Sequence, residues 1–103
     1  MNMTIRGKPH RLLVADTDDK RSRGLMFVRS REMICGYEGM VFLFDKKGIQ
    51  TFWNQNTLID LDLYWMDGDR VLREEKLLNI TDNGLKTYSS ILPVNTVVEV
   101  VKK

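Results

Sequence analysis

The clearest periodic signal in the chain lies at Ile59–Met66, where Ile59, Leu61, Leu63 and Trp65 alternate with Asp60, Asp62, Tyr64 and Met66. A period of two puts four large apolar side chains on one face of a strand. Asp67-Gly68 turns that strand back into another at Arg70–Lys76, and Asn83-Gly84 marks a further turn. Thr96–Val101 is β-branched enough for a closing strand. Upstream, Met40–Phe44 and Ile49–Trp53 flank Asp45-Lys46-Lys47-Gly48, a short connection with glycine where positive φ is often needed, and together predict a β-hairpin. Near the N-terminus, Thr4–Arg6 and Arg11–Ala15 read as strands parted by the breaker cluster Gly7-Lys8-Pro9.

A helix interrupts the strands at Asp16-Thr17-Asp18-Asp19. Thr17 can accept a bond from an early helical N–H, and carboxylates in the first turn suit the positive end of the helix dipole. A short helix near Asp18–Arg23 is therefore expected, ended by Gly24 with positive φ, after which Leu25-Met26-Phe27 returns to the core. Val28–Glu38 is irregular, with room for a second helical turn.

The sum is a mainly β domain of about six or seven strands with one short helix near residues 18–23. So many strands in so short a chain must limit their open edges. That favours a compact barrel-like form or a two-sheet meander, with the helix across one mouth.

Composition adds bounds to this picture. The 103 residues contain no linker-like stretch, so residues 1–103 are expected to form one domain, and 43% apolar with 29% charged residues suits one packed core. The longest apolar runs, such as Met40–Phe44, fall far short of the roughly 18 residues that cross a bilayer, and Met1–His10 lacks the apolar core of a signal peptide. Cys35 is the only cysteine, which rules out an internal disulfide and any multi-cysteine metal site. The net charge of +2 conceals an asymmetry: residues 1–31 hold eight Lys/Arg against three Asp, a net of +5, and the remainder holds eight against eleven acids, a net of −3. The basic third is interleaved with Asp16, Asp18 and Asp19 and reads as a mixed-charge surface, so no nucleic-acid partner is expected. A monomer is expected.

Candidate chemistry is sparse. There is no Gly-rich phosphate loop, HExxH or G-x-S-x-G, and His10, beside Pro9, is the only histidine and reads as a surface or turn residue. Cys35, in Met33-Ile34-Cys35-Gly36, reads as a small buried hydrophobe. Asp60 and Asp62 stand about 6.6 Å apart along one strand face, with Asp67 and Asp69 nearby. That spacing permits acid–base or cation chemistry, but Asp67 and Asp69 bracket a turn glycine as turn chemistry alone requires. No catalytic residue, metal or cofactor is assigned. Thr51-Phe52-Trp53-Asn54-Gln55-Asn56-Thr57 is the most distinctive stretch, because two aromatics lead into uncharged polar side chains, the composition of a recognition pocket. A strand ending in an Asn/Thr turn is the simpler alternative.

Three blocks in order resemble the domain-of-unknown-function family 192, whose pattern runs R-x-x-G-L-M, G-M-L-F-x-F and F-W-M-x-N-T-x-I-P-L-D. Here they stand as Arg21–Met26, Gly39–Phe44 and Phe52–Asp62. The match covers about residues 12–72 and continues more weakly through Tyr88-Ser89-Ser90 to Val97–Val101. The resemblance implies a compact mainly β domain, a site near Trp53, Asn56, Thr57 and Asp62, and export or tethering outside the cytoplasm, although no leader is visible in this chain. Asn54 replaces the methionine of F-W-M and Asp60 the proline of I-P-L-D, so a pairing of Asp60 with Asp62 would be private to this protein.

The leading expectation is a non-enzymatic binding module that holds a small polar ligand or peptide at Arg23, Trp53, Asn56, Thr57 and Asp62. One alternative is a small hydrolase or metal-assisted enzyme using Asp62 with Glu38 or Arg23. Another is an interaction module of an envelope assembly that presents the basic N-terminal third.

Overall fold

The computed structural model describes residues 1–102 and begins with a tight hairpin. Strands β1 (Asn2–Ile5) and β2 (Lys8–Ala15) are joined by Arg6 and Gly7, both in left-handed conformation at φ 53° and 79°. A two-residue turn with positive φ at both positions follows the twist of the strands it joins. The reversal therefore falls earlier than Gly7-Lys8-Pro9, and Pro9 lies within β2 opposite Thr4.

Helix α1 (Asp18–Arg23) starts where its cap predicts: the Thr17 side chain accepts the Lys20 N–H at 3.2 Å. Gly24, at φ 49°, ends it and donates to the Lys20 carbonyl at 2.9 Å. A 3-10 turn follows at Arg31–Ile34. Together they carry the chain from β2 to β3 (Gly39–Gly48), which run parallel from Leu12 opposite Gly39 to Ala15 opposite Phe42. Parallel neighbours need such a crossover, because a hairpin cannot connect them.

Five more strands follow: β4 (Thr51–Trp53), β5 (Leu61–Asp67), β6 (Arg70–Leu77), β7 (Thr87–Ser89) and β8 (Val94–Val101), with helix α2 (Ile80–Asn83) before β7. The protein is mainly β, a curled half-barrel sheet in the order β1-β2-β3-β8-β5-β6 beside the two-stranded sheet β4-β7. The β5–β6 hairpin closes at Asp67 and Arg70 as the alternation implies. The hairpin expected between Met40–Phe44 and Ile49–Trp53 does not form. Both edges of β3 are taken, by β2 and β8, so β4 pairs with β7 instead. Neither β7 nor α2 was anticipated from the sequence.

Strand β8 threads between β3 and β5 and is buried on both faces. On the inner face, Leu61, Leu63 and Trp65 meet Phe42, Val97 and Val101 beneath Leu25, Val28 and Ile34. On the outer face, Leu12, Val41, Met66, Val98 and Val100 pack with Ile5. Phe52 from β4 clamps the small sheet to the inner face, edge-on to Phe42 (4.9 Å between centroids) and Trp65 (5.6 Å). The sealed Trp65 indole donates to Glu75 at 2.7 Å, so burial leaves its N–H satisfied. The Cα radius of gyration is 12.5 Å, close to the ~13 Å of a compact domain this long. Among the described residues no helix is long and apolar enough to cross a membrane.

Candidate functional site

The alternation of β8 places Glu99 on the inner face with Val97 and Val101, across from Met40 on β3 and Leu63 on β5. Its side chain has no hydrogen-bond partner or ion pair among the described residues, although the residue is only 5% exposed. Among the described residues no side-chain oxygen is both sealed from solvent and unpartnered, so the Glu99 carboxyl keeps its remaining access through the opening it faces, with most of its hydration removed. Burial accordingly pushes the Glu99 carboxyl up to about 8, with no charged neighbour offsetting it. What Glu99 does face is a cleft of about 360 Å³, within the size range of small-molecule sites.

Helix α1 and the segment after it form one wall. Arg21 is pinned there: it donates to the Leu43 carbonyl at 2.7 Å and to Asp18 at 2.8 Å, and its guanidinium lies 5.3 Å from the Phe44 ring centroid. Arg23, in the last turn of α1, is exposed and has no ion pair or side-chain hydrogen bond among the described residues. Gly24 brings this wall close to the sheet, since a Cβ there would lie 3.3 Å from the Phe42 ring. The opposite wall is Gln50–Trp53 with Gln55 and Thr57. Trp53 is 51% exposed, whereas Thr57 is buried; its N–H donates to the Asn54 carbonyl and its own carbonyl accepts the Ile80 N–H, both at 2.9 Å.

Of the residues singled out from sequence, Arg23, Trp53 and Thr57 line this cleft together. Asn56 stands behind it, in left-handed conformation at φ 57°; its carbonyl accepts the Phe27 N–H at 2.8 Å, which fastens the segment after α1 to the opposite wall. Asp62 stands elsewhere. It alternates with Leu61 and Leu63 and so lies on the outer face, 3.7 Å from Lys76 and 3.5 Å from Lys102.

The other carboxylates are also dispersed. Asp60 accepts the backbone and side-chain N–H groups of Asn79, both at 2.8 Å, and the backbone bond foremost holds its carboxyl below the ordinary carboxylate value. Asp67 meets Lys47 at 2.6 Å. Glu38 accepts the Arg11 N–H and stands 3.1 Å from His10, and these contacts, the backbone bond first, lower its carboxyl too. No cluster of three or more His, Cys, Asp or Glu fit for a metal occurs among the described residues. Cys35, expected in the core, is exposed: it ends the 3-10 turn at φ 56°, and Ile34 takes the inward position.

Asn54, which replaces the methionine of F-W-M, is fully buried. It donates to the carbonyls of Leu78 (2.8 Å) and Gly84 (2.9 Å) and accepts the Lys86 N–H (2.7 Å), tying the chain around α2 to the end of β4. Glu99 escaped the sequence reading. Its signal was a lone carboxylate inside Val97-Val98-Glu99-Val100-Val101, a run suited to a strand buried on both faces.

The family profile of DUF192, described as an uncharacterised ACR, matches residues 1–103. The chain belongs to the DUF192 family. Two crystal structures share its fold at similar levels of likeness. A candidate transcription regulator from Sinorhizobium meliloti 1021 superposes with TM-score 0.75 at 25% identity, over 96% of this DUF192 chain and 75% of the other. A protein of unknown function from Novosphingobium aromaticivorans DSM 12444 gives 0.74 at 28% identity, over 96% and 69%. No functionally curated protein matches the chain.

Proposed function

We propose that this DUF192 domain is a binding module that holds a small polar ligand in the cleft between α1 and Gln50–Thr57, with Glu99 at its floor and Trp53 at its rim. The observation that carries this reading is Glu99, 5% exposed and without a protein partner, whose remaining access is into the cleft. A ligand hydrogen-bonded to it would recover the interaction that burial removes. Thermal-shift screening of metabolites and glycans, repeated on Trp53→Ala, tests the reading: a hit should stabilise the wild type and lose its effect in the variant. Stabilisation untouched by the substitution would place the ligand elsewhere.

The hydrolase alternative has less support. Asp62 is engaged with two lysines on the outer face and Glu38 with His10, apart from Arg23 in the cleft. The envelope-contact alternative relies on the basic N-terminal third, where Arg6, Lys20, Arg21 and Arg31 already face Glu74, Asp16, Asp18 and Glu38 within the chain.

A further inference from the structure

We infer that the cleft takes a hydroxylated anion, a small sugar or polyol bearing a carboxylate or phosphate, with the anionic group on Arg23 and a hydroxyl on Glu99. The inference rests on the binding reading above and names the ligand class of the same site.

Charge is the first argument. Three charged side chains line the cleft besides Glu99, all from α1: Asp18, Arg21 and Arg23. Asp18 and Arg21 compensate each other at 2.8 Å, which leaves Arg23 as the uncompensated charge. The other walls contribute no titratable side chain: Phe42 and Phe44 come from β3, Leu63 on β5 faces Glu99, and Gln50–Trp53, Gln55 and Thr57 are all neutral. A free guanidinium selects carboxylate or phosphate by forked, charge-assisted hydrogen bonds.

Glu99 supplies the second argument. It packs among apolar side chains, and Arg21 and Arg23, although they line the same cleft, make no ion pair with it, so its ionised form is poorly compensated. With its carboxyl pushed up to about 8, it is chiefly the neutral acid at pH 7 and presents one O–H donor and one acceptor oxygen. A ligand hydroxyl, itself donor and acceptor, matches that pair. An ammonium group would first require the acid to ionise.

The remaining lining fits the same molecule. The half-exposed Trp53 offers a flat apolar surface for the C–H face of a sugar ring, and Gln50, Thr51 and Gln55 offer neutral donors and acceptors at its margin. The cleft volume of about 360 Å³ suits one ring and not an extended chain.

The test is calorimetric titration of the full chain with glucose, glucosamine, glucuronate and glucose 6-phosphate, using wild type, Arg23→Gln and Glu99→Gln at pH 6.5 and 9.5. At least one of the two anions should bind about tenfold more tightly than glucose or glucosamine, and comparison of the two separates carboxylate from phosphate. Arg23→Gln should erase that advantage. Glu99→Gln keeps a donor and an acceptor but cannot ionise, so whatever its affinity at pH 6.5, that affinity should not change at pH 9.5. Wild-type affinity should fall at least about tenfold at pH 9.5 as the acid form is depopulated, with no such fall in Glu99→Gln. Preference for glucosamine, lost in Glu99→Gln, would overturn the inference while leaving the binding reading intact. Failure of all four sugars to bind would overturn the inference as well, whereas the binding reading fails only if the wider screen yields no Trp53-dependent hit.

Discussion

Gly39 lies against the backbone carbonyl of Glu99, with no room between the two strands for even a Cβ. This contact sets how deeply Glu99 sits behind the cleft, because β3 and β8 pair at this point, Met40 opposite Glu99 and Gly39 opposite Val100. Gly39→Ala should push β8 away and destabilise the fold by about 3 kcal/mol, the cost of overpacking a filled interior. Urea unfolding checks the size; a change within about 0.5 kcal/mol, as at an ordinary surface site, would mean the strands do not approach this closely.

Glu99 should make stability depend on pH in a definite direction. Its carboxyl is raised from 4.5 to about 8 on folding, so between those values the folded chain binds more protons than the unfolded one. Stability contributed by this group is therefore full below about pH 4.5, declines as pH rises, and is lost above about 8. The full span is about 5 kcal/mol. Denaturant unfolding at pH 5, 7 and 9 should show that decline in wild type relative to Glu99→Gln, which keeps the shape without the titration. Parallel profiles for the two proteins would contradict the burial of an unpaired acid.

Asn54 should prove structural. Asn54→Ala removes three hydrogen bonds and leaves the Leu78 and Gly84 carbonyls and the Lys86 N–H without their partner. The expected loss is about 2–4 kcal/mol. Amide hydrogen exchange should localise the weakening to Leu78–Lys86 and the β4–β7 sheet, and uniform protection there would count against this role.

Local chemistry made part of the fold legible in advance. The Thr17 cap, the Gly24 stop and the alternation through Leu61, Leu63 and Trp65 each depend on residues close in sequence and appear as read, whereas Ile59 and Asp60, expected in the same strand, precede β5. Pairings between distant segments left no comparable trace. Nothing local reveals that β8 enters between β3 and β5, and that insertion removes the edge β4 would have used. The same limit applies to the site. Thr51–Thr57 stood out by composition, but Glu99 becomes notable only once β8 is known to be central, and Asp62 leaves the cleft because the alternation that buries Leu61 and Leu63 turns it outward.

Cys35, with its side chain exposed at the end of the 3-10 turn, should react in the folded protein. One thiol per chain should titrate with a coloured disulfide reagent under native conditions, within about tenfold of its rate in denaturant. Protection until the chain unfolds would indicate that the turn is packed differently.

The central claim is that the cleft in front of Glu99 is where the protein binds. Amide chemical shifts followed by two-dimensional NMR, during titration with the best ligand from the metabolite and glycan screen, test it most directly. The account predicts shifts concentrated at Ser22–Met26, Gln50–Thr57 and Glu99, and their loss in Trp53→Ala with the unfolding free energy changed by no more than about 0.5 kcal/mol. Shifts confined instead to the other concavity, at Met1–Thr4, Gly68 and Asp69, would contradict it.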